Sequence, residues 1–164
     1  MNTTTITRDA LKKLFGISHQ VLKKNLNDVT HEESLLQPEA DGNCLNWVVG
    51  HILSTRNSAL QMLNQPPFWN QEEAALYKRG SEPIIDGSRA LNFKKMTTDL
   101  DRSQELLMAC LSEISETQLN RPCPDPSIGE TIEEALFIMQ FHETYHTGQT
   151  GLLRRLVGRE GVIK

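Results

Sequence analysis

Four stretches of this chain repeat apolar residues at alternating steps of three and four, and no convincing strand pattern interrupts them. That spacing is one face of an α-helix, so it confines the chain to an all-α fold before any single residue is weighed. The first helix is expected from about Thr7 to Asn27, carried by Leu11, Leu14, Phe15, Leu22 and Leu26. The second begins at Asn43 or Asn46 and stops at Pro66-Pro67, since proline lacks a donor and clashes with the preceding turn. The third runs from about Ser88 to Ile114 along Phe93, Met96, Leu100, Ser103, Leu107 and Cys110. The fourth opens on Thr131-x-x-Glu134, a capping-box pattern, and runs to about Val157 with Gly158 as its C-terminal cap.

The connections are polar or proline-rich. Residues 28–42 read as a loop, and residues 64–87 as a long irregular stretch with room for a short helix over Gln71 to Arg79. Such elements predict a single domain over residues 1–164: an antiparallel four-helix bundle of the up-down type, with the longer loop or short helix between helices two and three. A faint internal echo fits two similar halves. Thr30-His-Glu-Glu-Ser precedes the second helix, and Ser115-Glu-Thr-Gln-Leu precedes the fourth.

Composition removes several function classes. The net charge of -4 offers no electrostatic footprint for nucleic acid or an anionic membrane surface. No stretch approaches the ~20 apolar residues of a membrane span, and the first residues lack a signal-peptide core. Cys44, Cys110 and Cys123 are scattered, with no C-x-x-C pair. A reducing cytoplasmic setting, with the cysteines as small buried groups, is the expectation.

The chemistry concentrates on three histidines. His142 and His146 fall on the apparent inward seam Ile132, Ala135, Met139, His142, His146, Gln149, Leu153, Leu156. Residues four apart lie on one helix face with Cβ atoms ~5–6 Å apart, so both imidazoles can reach one metal ion at about 2.0–2.1 Å. His51 lies on the stripe of the second helix with Val48 and Thr55 and supplies a third ligand. Three protein ligands leave a position open for water or substrate, the arrangement of catalytic metal sites. Zinc, nickel, cobalt and iron all suit the set.

Around the trio, Glu143 is a candidate general base or partner of a metal-bound group, although a surface glutamate or a helix-packing ion pair is the stronger reading for it. Gln149, a turn beyond His146, either orients a ligand or bonds across the bundle. Gly148 and Gly151 suggest close approach of another helix or of a bound ligand, or a local bend. Trp47, Phe68, Trp69 and Tyr77 could shape a pocket or simply pack. His19, off the buried stripe, and His31, in a loop, are expected to face solvent. Cys44 is about 10 Å from His51 along the helix, too far to share an ion.

His142-Glu-Thr-Tyr-His146 also matches the H-E-x-x-H string of zinc peptidases. The surrounding sequence opposes that reading. Leu152 stands where an extended motif needs histidine, little chain follows for a further ligand helix, and no strand is available as a substrate edge.

The segment Asn46-Trp-Val-Val-Gly-His51-Ile resembles the first metal-ligand helix of the DinB-like proteins. Phe141-His-Glu-Thr-Tyr-His-Thr-Gly-Gln149 resembles their H-x-x-x-H-x-G-Q signature. The resemblance extends from about Thr7 to Val157. It implies a four-helix bundle, often a homodimer, with a divalent ion on the three histidines. It also implies activity like that of the superfamily's metal-dependent transferases, which act with low-molecular-weight thiols, or of a hydrolase using activated water. The remaining alternative is a metal-binding, stress-related bundle without catalysis.

Overall fold

The computed structural model describes residues 3–39, 42–85 and 87–163, with side chains from residue 7 onward. Among them there is no strand, only an isolated bridge between Pro122 and Thr131. Seven α-helices follow one another: α1 (Thr3–Leu26), α2 (His31–Ser34), α3 (Leu45–Met62), α4 (Gln71–Leu76), α5 (Phe93–Glu113), α6 (Glu116–Leu119) and α7 (Ile132–Leu156). The four long ones, α1, α3, α5 and α7, form the bundle.

Local chemistry explains most boundaries. The Asn92 side chain accepts from Lys95 N and starts α5, so residues 88–92 lie outside the helix expected there. Thr131 accepts from Glu134 N at the head of α7, while the Glu134 carboxylate accepts from Glu130 N rather than closing a full capping box. Gly158, at φ 83, follows the C-terminal end of α7, as glycine without a Cβ can. The segment expected to be a plain loop over 28–42 holds α2. Its Thr30 and Glu33 form a reciprocal capping box, matched by Ser115 and Gln118 around α6. The sequence echo is therefore a pair of one-turn helices, each feeding a long helix that carries histidine.

Of the successive long helices only α3 and α5 are neighbours; α1 packs on α5 and α7, and so does α3. Side-chain pairs run in register between α1 and α7, Thr7 with Glu133 and Asn25 with Thr150, so these two are parallel. On α1, Lys12 meets Ser112 and Lys23 meets Asp101, so α5 runs antiparallel to it. Helices α3 and α5 are parallel, with Asn46 near Leu91 at one end and Leu60 clustered with Leu111 at the other. The order is up-down-down-up, which corrects the simple up-down connectivity expected. The cause is the 63–92 connection. It returns along the whole length of α3, pinned by Trp69 and Tyr77, before α5 begins.

Two hydrophobic clusters fill the ends of the bundle. One gathers Leu22, Leu45, Val49, Ile52, Phe93, Met96 and Leu153; the other gathers Leu11, Phe15, Leu60, Leu107, Leu111, Ile132 and Leu136. Between them every long helix contributes polar groups. At the centre, the Arg56 guanidinium donates twice to Glu143, at 2.8 and 2.7 Å, and also to Leu100 O and Ser103 Oγ. Both charged side chains are almost completely buried. A pair this deep survives because all three guanidinium nitrogens and both carboxylate oxygens have hydrogen-bond partners.

Candidate metal centre

Helices α3 and α7 cross at this polar layer, and the histidines sit on its outer edge. His51 comes from α3 and is buried; His142 and His146 come from α7 and are half-buried. The inward face of α7 in this region belongs to Glu143, Thr147 and Thr150. The expected seam was therefore rotated by about one position, and Leu156, placed on it, is exposed. A trio at the rim rather than in the core can be reached from solvent.

The three Nε2 atoms converge. His142 Nε2 lies 3.0 Å from that of His51 and 3.1 Å from that of His146. Candidate ligand atoms of all three rings fall within 4.8 Å of one another. The far side of two rings decides what this means. His51 Nδ1 donates to Tyr77 O at 2.7 Å, and His146 Nδ1 donates to Gln149 Oε1 at 2.6 Å. A neutral imidazole has one proton, so spending it on Nδ1 leaves Nε2 as a bare lone pair. Two lone pairs thus face His142, whose single proton can answer only one of them. Its own Nδ1 is buried without a partner. Hydrogen bonding cannot satisfy the three Nε2 atoms, whereas a cation at the common point would take a lone pair from each.

Electrostatics point the same way. Burial lowers the pKa of His51 and His146, and burial plus the two neighbouring imidazoles lowers that of His142 to about 4. Arg79 adds to the lowering at His51 and His142. All three rings are neutral near pH 7, the form a metal ligand needs. The residues therefore fit a divalent ion.

Other groups hold the rings in place. Trp47 stacks on His51 with centroids 4.7 Å apart, and its indole nitrogen donates to Ser81 Oγ. Tyr145, exposed, sets its ring edge-on against His146. Tyr77 is fully buried; its hydroxyl donates to Asn46 Oδ1 and accepts from Leu91 N. Its ring lies so close to Gly50 that a Cβ there would overlap it. Tyr77 was anticipated as an aromatic of the connection; that its carbonyl orients His51 was not, since backbone atoms carry no sequence signature.

The remaining candidates are placed as follows. Gln149 does contact His146. Glu143 is turned inward onto Arg56, away from the histidines: it forms the packing ion pair and is not the surface glutamate that was the other expectation. Arg56 was overlooked, although it sits on the core stripe Val49, Ile52, Arg56, Ala59, Leu63 and could have been found there. His19 is not solvent-facing: it pairs through Nε2 with Asp101 at 3.1 Å, and its Nδ1 is buried without a partner. His31 Nδ1 accepts from Phe93 N. Gly151 does allow close approach, to Asn25, while Gly148 faces open space. Cys44 is buried near Ile84 O and takes no part.

A cleft of about 700 Å³ opens beside His51 and His142, between α3, α7 and residues following α4 and α6. The trio is thus reachable by a small molecule.

Comparison with known proteins agrees with this architecture. No curated protein matches the sequence. A conserved protein from Enterococcus faecalis shares the fold with a TM-score of 0.71 at 19% identity, over 96% of this chain and 98% of that one. YfiT from Bacillus subtilis, described as a probable metal-dependent hydrolase with an unusual four-helix bundle topology, aligns with a TM-score of 0.67 at 22% identity. That alignment covers 93% of this chain and 89% of YfiT. The sequence profile of the DinB superfamily matches residues 15–150, and the chain belongs to that superfamily.

Proposed function

We propose that this protein holds one divalent ion (zinc, nickel, cobalt or iron) on His51, His142 and His146 and uses it for hydrolysis or group transfer on a small molecule. Water or a low-molecular-weight thiol would be the attacking group. The observation that carries the reading is the convergence of three Nε2 atoms, two of them stripped of protons by Tyr77 O and Gln149 Oε1. When bound, such an ion supplies Lewis acidity, lowering the pKa of whatever occupies the open position. The chain's own residues do the rest: Tyr77 and Gln149 fix the ring orientations, Trp47 packs over His51, and the cleft admits the substrate. The description of YfiT as a probable metal-dependent hydrolase supports the same direction. A peptidase reading loses its base, because both oxygens of Glu143 are held by Arg56.

The test is elemental analysis of tag-free protein beside His51→Ala, His142→Ala and His146→Ala. Near-stoichiometric metal in the wild type, lost in each folded variant, is expected. A wild type that stays metal-free after dialysis against zinc or nickel would sink the proposal. Loaded protein is then assayed for thiol conjugation to an aryl halide and for aryl-ester hydrolysis, which separates the two attacking groups. Failure of both by loaded protein would favour a binding role without catalysis.

A further inference from the structure

The cleft beside the histidines has a donor inventory of its own. On the α3 wall, Ser54 Oγ donates to Ala74 O, Thr55 Oγ1 to His51 O and Ser58 Oγ to Ser54 O. Those three hydroxyl protons are spent on backbone carbonyls. The α7 wall is Ile138, half exposed, and Met139. The third wall carries Lys78 and Arg79, both exposed. Among the described residues neither cation has a hydrogen bond or an ion pair. The cleft's carboxylate, Asp125, accepts from Ser127 N instead.

A ligand entering here therefore meets apolar side chains and two free cations, with His51 and His142 also lining the cleft. A guanidinium offers a planar fork of donors that matches a carboxylate through two parallel bonds. A purely apolar ligand would make no use of those donors, and a cationic one would be repelled by them.

We propose that the cleft is a subsite for a small carboxylate-bearing molecule, its acid group held by Arg79 with Lys78 beside it and its apolar body lying on Ile138. The metal reading above gives the site its reactive centre, and this inference rests on that reading for its catalytic meaning. The carboxylate preference itself does not need the ion. Arg79 is then a specificity-determining residue.

The probes are 4-phenylbutyrate and its neutral amide, titrated calorimetrically into the full chain, zinc-loaded and metal-free. The expected result is binding of the carboxylate at least about tenfold tighter than the amide in both forms, the range of a charge-assisted pair. Arg79→Gln should erase that preference, Arg79→Lys should restore part of it, and Lys78→Gln should reduce it less. Both positions are exposed, so circular dichroism should be unchanged. An equal preference in Arg79→Gln, or no binding of the carboxylate at millimolar concentration in either form, would overturn the proposal. Loss of zinc from the wild type with the preference intact in metal-free protein would instead remove the metal reading and leave this one standing.

Discussion

At the scale of single residues, the most consequential pair is Arg56 with Glu143. Glu143 lies between His142 and His146 in sequence yet faces the opposite way, and Arg56 shares its helix with His51. Their bond therefore sets the distance between α3 and α7 from the side opposite the histidines. Glu143→Gln leaves a buried guanidinium without its counter-charge, and a loss of about 3–5 kcal/mol in urea unfolding is expected. Arg56→Met with Glu143→Leu should recover most of it. A single variant as stable as the wild type would mean that the layer is wet and the pair incidental. His19 gives a second handle. Burial and the Arg56 charge lower its pKa to about 4 against the pull of Asp101, from an ordinary value of 6.5. The unfolded chain thus binds the proton first, so stability is complete above pH 6.5 and is lost as pH falls toward 4. In metal-free protein, unfolding titrations between pH 7 and 4 should show that fall, and His19→Asn should lessen it, leaving the share of His51, His142 and His146, whose pKa values are lowered too. An unchanged slope in that variant would reassign the effect to other groups.

At the scale of elements, the decisive contact is between α3 and the connection that returns along it. Gly50 leaves room for the Tyr77 ring, and Tyr77 O then receives the His51 proton. Gly50→Ala should push Tyr77 aside, costing about 1–3 kcal/mol by overpacking. Zinc affinity should fall about 10–100-fold, the usual effect of losing an outer partner of a metal ligand. Competition with a chromophoric chelator measures this, and undiminished affinity would show that the carbonyl is dispensable. The same element marks where the sequence could be read and where it could not. The long helices and the histidine trio follow from spacing alone, because a 3.6-residue period is local, whereas α3 ends at Met62, ahead of the Pro66-Pro67 stop expected for it, with Asn64 at φ 61. The rotation that put Glu143 rather than His142 inside did not follow, because polar residues stand at both positions and only the Arg56 partner decides between them. The path of the 63–92 connection was equally hidden, since it depends on where Trp69 and Tyr77 find a slot.

At the scale of the molecule, α7 presents Phe141, Tyr145, Leu152 and Leu156 to solvent at 68, 59, 60 and 57% exposure, with Ile17 of α1 also exposed. Stripes of this kind in a folded chain usually meet a partner. We propose a second copy as that partner, in line with the homodimer implied by the sequence resemblance. Sedimentation should give a dimer for the wild type and a monomer for Phe141→Glu; a monomeric wild type would assign the stripe elsewhere. No helix among the described residues is long and apolar enough to cross a membrane, so the stripe is not part of a span.

The up-down-down-up order also has a consequence in time. His51 and His142 are separated by 91 positions, and α1 finds its parallel neighbour only in α7. Closing so long a segment is entropically slow, and the reward comes only when the last long helix docks. On a ribosome His51 would emerge long before its partners, with neither α7 nor a finished cleft to guard it. An ion bound as proposed would therefore be loaded only after α7 has docked.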